Sequence, residues 1–282
     1  MTATNGLHQD DAALTPLRRC AANVMAAVAM VMGPAKIHPR PVVTSLRPLA
    51  IKVAVYFAAF LLCMLLLDGP LMRAVNHLPR WIIVPFDEIT DFGKSGWFLW
   101  PLGLLFIAFA ALPTRLSRVS QKVLAAVMVR VGFLFLAIGV PGLFVTIVKR
   151  MIGRARPMVG GHLDPLLFSP FKWTAAYASL PSGHATTAFS VLVAFGSLFP
   201  RWRTEILIYT GLIALSRMVV NAHYPSDVFA GALVGTVGAL MVRRYFALRR
   251  LGFSVGPDGA LHHYPGPSLK RIKAVARELL AP

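Results

Sequence analysis

Charged residues are scarce in this chain. Only 14% of its 282 residues are Asp, Glu, Lys or Arg, whereas 56% are apolar. Soluble domains carry about 25% charged residues, so the composition excludes an ordinary soluble protein and indicates a membrane protein. Acidic residues are the rarer sign, since 11 Asp and Glu stand against 29 Lys and Arg for a net charge of +18. The basic residues lie between apolar runs rather than on one soluble face, which argues against nucleic acid as a partner.

Cysteine and clustered metal ligands are also scarce. The two cysteines are Cys20, in the polar N-terminal segment, and Cys63, in an apolar stretch, so no disulfide is expected between them. No Cys/His cluster has the spacing of zinc ligands, and the carboxylate clusters that magnesium requires are missing. We therefore expect neither a metal nor another cofactor.

Long apolar runs dominate the rest of the chain. A transmembrane helix needs about 20 apolar residues, and six stretches reach or approach this length. They are Leu49–Leu67, Ser95–Leu112, Val123–Val148, His184–Phe199, Glu205–Val220 and Asp227–Phe246. The predicted fold class is all-α, a polytopic membrane helix bundle with about six transmembrane helices. The expected organisation is an N-terminal segment (1–48), a six-span domain (49–250) and a C-terminal tail (251–282).

The basic residues predict the orientation of these spans. They concentrate before the first span, after the second, fourth and sixth spans, and in the tail, so an even number of spans puts them all on one side. Examples are Lys36, Arg40, Arg47, Lys52, Arg115, Arg118, Lys122, Arg201, Arg203, Arg243 and Arg244. Basic loops favour the cytoplasm, so both termini are predicted to be cytoplasmic.

The two terminal segments carry weaker signals. The apolar run Ala21–Met32 is too short to span a bilayer, and an interfacial or disordered segment is favoured. A seventh span there would place the N-terminus outside. In the tail, "LKRIKAVARELL" has Leu269, Ile272 and Val275 at helical spacing among basic residues. It predicts a helix that lies on the anionic cytoplasmic leaflet or, equally well, a solvated tail helix.

A basic cluster on the expected outer side breaks the charge rule. It follows the third predicted span and contains Lys149, Arg150, Arg154 and Arg156, ending at Pro157. An ammonium and a guanidinium together suit a group with three anionic oxygens, because the guanidinium fork binds two of them. Taken alone, such a cluster is more often a lipid-headgroup anchor.

The second polar stretch, Pro181–His184, reads PSGH and precedes the fourth predicted span. Ser182 is predicted to cap that helix, which places His184 in its first turn. Unpaired N–H groups make a helix N-terminus a natural phosphate site, and Gly183 would let a ligand approach the backbone closely. Taken alone, the stretch is more simply a structural cap.

The third polar stretch, Ser216–Asp227, joins the fifth and sixth predicted spans. It places His223 in the bend and Asp227 at the start of the last helix. Asp227 is positioned to accept the Nδ1 proton of His223, which would leave Nε2 as a nucleophile. A structural tie across the bend is the alternative for this pair.

The predicted topology brings the three stretches to the same outer compartment. Their groups are complementary: the cations Lys149, Arg156 and Arg217, a helix N-terminus, two histidines and one carboxylate. Phosphoryl transfer needs neutralised oxygens, an in-line nucleophile and an acid for the leaving oxygen. The sequence therefore predicts a phosphoryl-transfer site.

In this order, the stretches resemble the signature of the type 2 phosphatidic acid phosphatase superfamily. Lys149–Pro157 is similar to its K-x6-R-P motif, Pro181–His184 to its P-S-G-H motif, and Ser216–Asp227 to its S-R-x5-H-x3-D motif. Each motif is weak alone, but the ordered set is highly specific and complete.

The resemblance implies a role for each site residue. His223 would attack phosphorus to form a phosphohistidine, Asp227 would orient His223, and His184 would protonate the leaving group. The phosphoryl oxygens would be bound by Lys149, Arg156, Ser182, Gly183 and Arg217. Arg150 and Arg154, at variable motif positions, are expected to contact a second phosphate or a sugar headgroup.

The expected function is an integral membrane lipid phosphatase of a bacterial inner membrane, with its site facing the periplasm or outside. Candidate substrates are undecaprenyl diphosphate, phosphatidylglycerol phosphate, phosphatidate and the lipid A phosphates. A phosphotransferase using the same site and a non-catalytic lipid transporter are the alternatives, and the intact His184, His223 and Asp227 argue against the transporter. Vanadium-dependent haloperoxidases share these motifs but are soluble.

Overall fold

The protein is a bundle of α-helices. The computed structural model describes residues 16–37, 46–112 and 116–280. Over those residues the helices are α1 (Pro16–Met32), α2 (Leu46–Leu62), α3 (Asp68–Val75), α4 (Arg80–Asp91), α5 (Gly96–Ala110), α6 (Arg118–Ile152), α7 (Gly183–Leu198), α8 (Arg203–Val219), α9 (Pro225–Leu248) and α10 (Leu269–Leu280). A π-helical turn, Cys63–Leu67, joins α2 directly to α3. The predicted all-α membrane bundle is confirmed.

Several helices have the length and composition of membrane spans. Within the described residues, four stretches qualify: Arg47–Val75, Arg80–Ala110, Arg118–Ile152 and Pro225–Leu248. The chain is therefore an integral membrane protein. The helices α7 and α8 have 16 and 17 residues. At 1.5 Å per residue they are about 24–26 Å long, slightly short of a hydrocarbon core of about 30 Å. The predicted number of six spans stays a prediction.

The contacts divide the chain into two compact units. Among the described residues, the first comprises 16–37, 100–112, 116–135 and 243–280, and the second comprises 46–99 and 136–242. Aromatic rings form the core of the first unit, where Phe133 lies 4.7 Å from Phe253 and 5.5 Å from Phe246 between ring centroids. All three phenylalanines are fully buried, and Phe253 lies in the tail after α9. The burial of these rings explains why the tail folds onto the first unit.

Part of the N-terminal segment is an ordered helix, which the sequence did not predict. Asn23 of α1 donates to the carbonyl of Ala110 at 2.8 Å, and Arg249 Nε donates to Gly33 at 2.8 Å. These bonds attach α1 to the rest of the first unit. Residues 1–15, together with Arg40 and Arg115 of the orientation argument, lie outside the described residues.

The tail contains a hairpin as well as the predicted helix. Strand β1 (Phe253–Val255) pairs antiparallel with β2 (Leu261–His263), a pairing the Gly/Pro-rich sequence did not reveal. The predicted helix is confirmed as α10, and its Glu278 accepts hydrogen bonds from Ser117 and Ser120. Whether α10 also contacts the membrane stays a prediction.

In the second unit, α7 and α9 pack at backbone distance. A Cβ on Gly231 would lie 2.4 Å from the carbonyl oxygen of Ser182, and one on Gly235 would lie 2.4 Å from that of Thr186. Small residues allow this approach, as in many membrane helix pairs. The backbone N–H of Ser182 also donates to the carbonyl of Asp227 at 3.0 Å. The N-termini of α7 and α9 therefore lie side by side.

Candidate active site

The segment between α6 and α7 is fixed by backbone geometry. Gly153 ends α6 with φ +65°, and a Cβ there would lie 1.9 Å from the carbonyl oxygen of Ser169. Only glycine fits such a position. Further on, the N–H of Arg156 donates to the carbonyl of Ala176 at 2.8 Å. The backbone that carries the two arginines after Gly153, Arg154 and Arg156, is therefore constrained.

Two arginines of the predicted phosphate site have unsatisfied donors. Arg217, in the last turn of α8, is 7% exposed, and its Nη1 donates to Thr90 Oγ1 of α4. The Nε atoms of Arg217 and Arg156 are buried without a protein acceptor. Burial lowers the pKa of Arg156 and Asp227 opposes this, but a guanidinium stays charged. Buried cationic donors without acceptors suit an anionic ligand.

Lys149 belongs to the same group of charges. It lies in the last turn of α6, and its ammonium interacts electrostatically with Arg156 and Arg150. Arg156 in turn interacts with Arg217. The structure thus brings the three predicted phosphate-binding cations close enough for their charges to act on one another. Such like charges raise the local affinity for an anion.

The start of α7 has the predicted cap. Ser182 is the N-cap, and its Oγ accepts from the N–H of Ala185 at 3.5 Å, which confirms the capping prediction. A Cβ on Gly183 would meet no atom within 4 Å. His184 lies in the first turn against Gly93, where a Cβ would come 2.8 Å from the imidazole Cδ2. A larger residue at position 93 would push against the His184 ring, and no sequence motif pointed to Gly93.

The bend between α8 and α9 places His223 near Arg217. Asn221 adopts a left-handed conformation with φ +56°, and the N–H of His223 donates to the carbonyl of Arg217 at 3.1 Å. His223 is 3% exposed. Its charge environment includes Asp227, Arg217, Arg156 and His184. The two histidines and the two arginines therefore belong to one site.

The contact between His223 and Asp227 is not the direct hydrogen bond expected from the sequence. Asp227 Oδ2 lies 3.8 Å from His223 Nδ1. It accepts instead from Ser179 Oγ at 2.6 Å and from the N–H of Tyr224 at 2.9 Å. Ser179 Oγ lies 3.4 Å from His223 Nδ1. A serine hydroxyl thus mediates between the carboxylate and the imidazole.

Burial keeps His223 neutral. Desolvation lowers the pKa of His223, Asp227 works in the opposite direction, and Arg217 and Arg156 lower it further. The net result is a pKa below the ordinary value of 6.5. A neutral imidazole has a free lone pair, so His223 is chemically suited to be a nucleophile near pH 7.

Arg154 does not have the predicted position. Its side chain is fully buried, Nη1 donates to Asp227 Oδ1 at 2.7 Å, and Nη2 donates to Asp68 Oδ2 at 2.7 Å. Its Nε donates to the carbonyl of Pro165 at 3.1 Å. The expectation that Arg154 contacts a headgroup is therefore wrong, because every guanidinium nitrogen is already used by the protein. Arg150 lies over the ring of Trp173, 5.4 Å from its centroid, and its headgroup contact stays a prediction.

Sequence reasoning missed Asp68, Thr90 and Ser179, which lie outside the motifs. One signal was available for Asp68, since a carboxylate in an apolar span is by default a functional candidate. Thr90 and Ser179 gave no comparable signal. In the part of the chain that the structure describes, no three His, Cys, Asp or Glu side chains form a metal-binding group.

The chain is similar to known phosphatases. Residues 130–251 match the family described as the PAP2 superfamily. A lipid A 1-phosphatase of Rhizobium johnstonii is 35% identical over 202 residues, which cover 71% of this chain and 82% of that protein. A decaprenylphosphoryl-5-phosphoribose phosphatase of Mycobacterium tuberculosis is 31% identical over 99 residues, 34% of this chain and 50% of that one. The crystal structure of Aquifex aeolicus LpxE aligns with a TM-score of 0.46 and 24% identity, covering 64% of this chain and 96% of that one.

Proposed function

The chain belongs to the PAP2 superfamily, and from this premise we propose that it removes phosphate from a membrane lipid through a phosphohistidine on His223, without a metal. The observation that carries the proposal is the environment of His223. A buried, neutral imidazole interacts with Arg156 and Arg217, whose Nε donors have no protein acceptor. A nucleophile beside unsatisfied cationic donors is what phosphoryl transfer requires.

In the first step, Nε2 of His223 attacks phosphorus and the bond from phosphorus to the lipid oxygen breaks. The phosphoryl group is then bonded to Nε2, and the leaving oxygen takes a proton from His184, which enters the step as an imidazolium and is left neutral. Asp227, acting through Ser179, stabilises the positive charge that develops on the imidazole. The step converts a lipid phosphate into a free lipid hydroxyl and a phosphoenzyme.

In the second step, water attacks phosphorus and breaks the P–N bond, with His184 accepting a proton from the water. Inorganic phosphate leaves and His223 is neutral again. During both steps the equatorial oxygens are neutralised by Lys149, Arg156 and Arg217, and bound by Ser182 and the Gly183 N–H. The net reaction adds one water to the lipid phosphate.

A lipid A phosphate is the proposed substrate. Support comes from the relatives named lipid A 1-phosphatase, to which the similarity extends over most of their length. Undecaprenyl diphosphate, phosphatidylglycerol phosphate and phosphatidate are the competing substrates. Transfer of the phosphoryl group to a second lipid is the competing reaction.

The proposed location is the bacterial inner membrane, with the site at the periplasmic interface and both termini in the cytoplasm. The six-span domain would be residues 49–250. Exposed tryptophans in the second unit support an interfacial site, because tryptophan favours the headgroup level. Trp81, Trp97 and Trp173 are 76%, 59% and 63% exposed.

The test is a phosphatase assay on purified protein in detergent and EDTA, with a panel of these lipids. Lipid A bisphosphate is included, and mass spectrometry identifies which phosphate is lost. We expect EDTA-resistant release of phosphate from lipid A and no release by His223→Ala. When acceptor lipids are added, we expect no phosphorylated acceptor lipid. A strict requirement for Mg²⁺, or a preference for another panel lipid, would contradict the respective part of the proposal.

A further inference from the structure

Two carboxylates share one guanidinium in the core of the second unit. Asp68, Arg154 and Asp227 are all 0% exposed. Arg154 bridges them through two different nitrogens, each 2.7 Å from a carboxylate oxygen. Planar, forked donors are suited to such bridging, whereas a lysine ammonium is not. Asp68 comes from the α2–α3 helix and Asp227 from α9, so the bridge connects elements that are distant in sequence.

Asp68 also holds the first turn of α9. It accepts from the backbone N–H of Ser226 at 2.9 Å and from Ser226 Oγ at 2.5 Å. Arg154 Nη1 donates to the same Ser226 hydroxyl at 2.7 Å. The first turn of a helix has unpaired N–H groups and favours a negative charge. The position of Asp227, the next residue, is therefore fixed from both sides.

The charge balance of this group matters for His223. Two carboxylates and one guanidinium carry a net charge of −1. Without Asp68, Arg154 and Asp227 would cancel, and no net negative charge would face the imidazole. Charges act strongly on one another in a buried site, where screening by water is weak. Burial works to lower the pKa of Arg154, but Asp227 and Asp68 raise it above the ordinary value, so the guanidinium keeps its charge.

A purely structural role explains this arrangement poorly. Removing charges from water is costly, and well-packed apolar residues often stabilise a core as well as a buried ion pair does. The position of these three residues is more informative, because the carboxylate of Asp227 reaches the proposed nucleophile, His223, through Ser179.

We propose that Asp68 and Arg154 are positioning residues for the phosphoryl-transfer reaction. Arg154 fixes the rotamer of Asp227, and Asp68 neutralises Arg154 so that the negative charge of Asp227 remains available to His223. This charge is needed when His223 becomes positive on forming the P–N bond. The inference rests on the proposed function, since it assigns these residues to that reaction.

The first test is Asp68→Asn, which removes one charge with little change of shape. The titratable and charged groups that face His223 are Asp227, Arg217, Arg156 and His184. The group of Asp68, Arg154 and Asp227 loses its net negative charge in this variant, so kcat should fall about 10- to 100-fold while KM changes less than about 3-fold. The acid limb of the kcat/KM profile should move to lower pH by roughly one unit.

The double variant Asp68→Asn/Arg154→Gln restores the net charge of −1. We expect its acid limb to return toward that of the wild type, although kcat stays low because Asp227 has lost its bridge. A merely structural role would lower stability and the active fraction, and would leave the pH profile of the surviving enzyme unchanged in both variants. Glu278→Gln, which removes a carboxylate of the first unit, is the matched control and should leave the profile unchanged.

Two further measurements keep the outcomes distinct. The titration of His223 by ¹⁵N NMR, assigned with His223→Ala, reports the same shift without turnover. An inactive wild type would therefore overturn the proposed function while the titration still tests the network. If Asp68→Asn does not fold, Arg154→Lys takes its place, with an expected loss of kcat and an unchanged acid limb. A wild-type titration in Asp68→Asn, or wild-type kcat in Arg154→Lys, would overturn the inference.

Discussion

Asp227 Oδ2 and His223 Nδ1 lie 3.8 Å apart, too far for a direct hydrogen bond. The hydroxyl of Ser179 lies within 2.6 Å of the carboxylate oxygen and 3.4 Å of the imidazole nitrogen. The carboxylate therefore acts on the nucleophile through a neutral, polarisable relay. In the proposed mechanism this relationship gives Ser179 a role, although it belongs to none of the three motifs.

Ser179→Ala removes this relay. The hydroxyl of Ser179 donates to a carboxylate, and a hydrogen bond to a charged group contributes about 1.5–3 kcal/mol, so kcat should fall roughly 10- to 100-fold with little change in KM. Steady-state kinetics on the lipid substrate measures the effect. Ser197→Ala is the control, since the hydroxyl of Ser197 donates only within its own helix, to Val193 at 2.6 Å. Wild-type kcat in Ser179→Ala would show that the relay is not used.

The pH dependence follows from the lowered pKa of His223. Burial disfavours the protonated imidazole, so His223 stays neutral at pH values where an exposed histidine is already half charged. As the pH falls, kcat/KM should hold through the ordinary value of 6.5 and decline only below it. The second ionisation of a phosphate monoester is near pH 6, so ³¹P titration of the substrate is needed to separate the two effects. If the kcat/KM profile, once the substrate's own titration is separated, has its midpoint above pH 6.5, the assignment of the acid limb to His223 would be contradicted.

Thr90→Val tests the support of Arg217. The Oγ1 of Thr90 accepts from Arg217 Nη1, and valine would leave that donor unpaired and free to rotate. We expect KM, and the inhibition constant of the product phosphate, to rise about 3- to 10-fold, with a smaller effect on kcat. Thr146→Val is the control because the Thr146 hydroxyl donates to Gly142 within α6 at 2.8 Å. An equal fall of kcat in both variants would argue for a general packing defect.

Gly153→Ala tests the backbone that presents Arg154 and Arg156. Its φ is left-handed, and an added Cβ would lie 1.9 Å from the carbonyl oxygen of Ser169, so there is no room for a methyl group. Destabilisation by more than about 2 kcal/mol is expected from strain and displacement together. Gly142→Ala in α6, where a Cβ meets no atom within 4 Å, should change stability by about 1 kcal/mol or less. Thermal unfolding in detergent compares the two, and similar melting temperatures would refute the argument.

The sequence predicted the fold class and the groups of the site because both have strong local signals. Apolar runs define the helices α2, α5, α6 and α9, and proline, glycine and serine define where α7 and α9 begin. The cap at Ser182 and the bend at His223 follow from these residues alone. The predicted cations also lie near one another, as expected if the three stretches meet in one compartment; that this compartment is the outer one stays a prediction.

Other features depended on contacts between distant segments, which a single sequence does not reveal. Arg154 belongs to a basic cluster in the sequence, and only the structure places it beside Asp68, which lies 86 residues earlier in the chain. Thr90 and Ser179 are ordinary polar residues until α8 and α9 fold against them. The hairpin of the tail has strands of three residues, too short for a visible alternation.

The central claim is the covalent intermediate on His223. The direct measurement is a single-turnover reaction of ³²P-labelled lipid phosphate in EDTA, quenched in alkali and denaturant because phosphohistidine is stable to base. The reaction is followed in the wild-type protein and in His184→Gln, which lacks the acid of the first step and the base of the second, so that both formation and breakdown of the intermediate are slowed. We predict ³²P label on the protein, assigned by mass spectrometry to His223. The label should be absent from protein that carries the His223→Ala substitution. Phosphate release in EDTA by the wild-type protein with no protein-bound label, or label that persists in His223→Ala, would contradict the account.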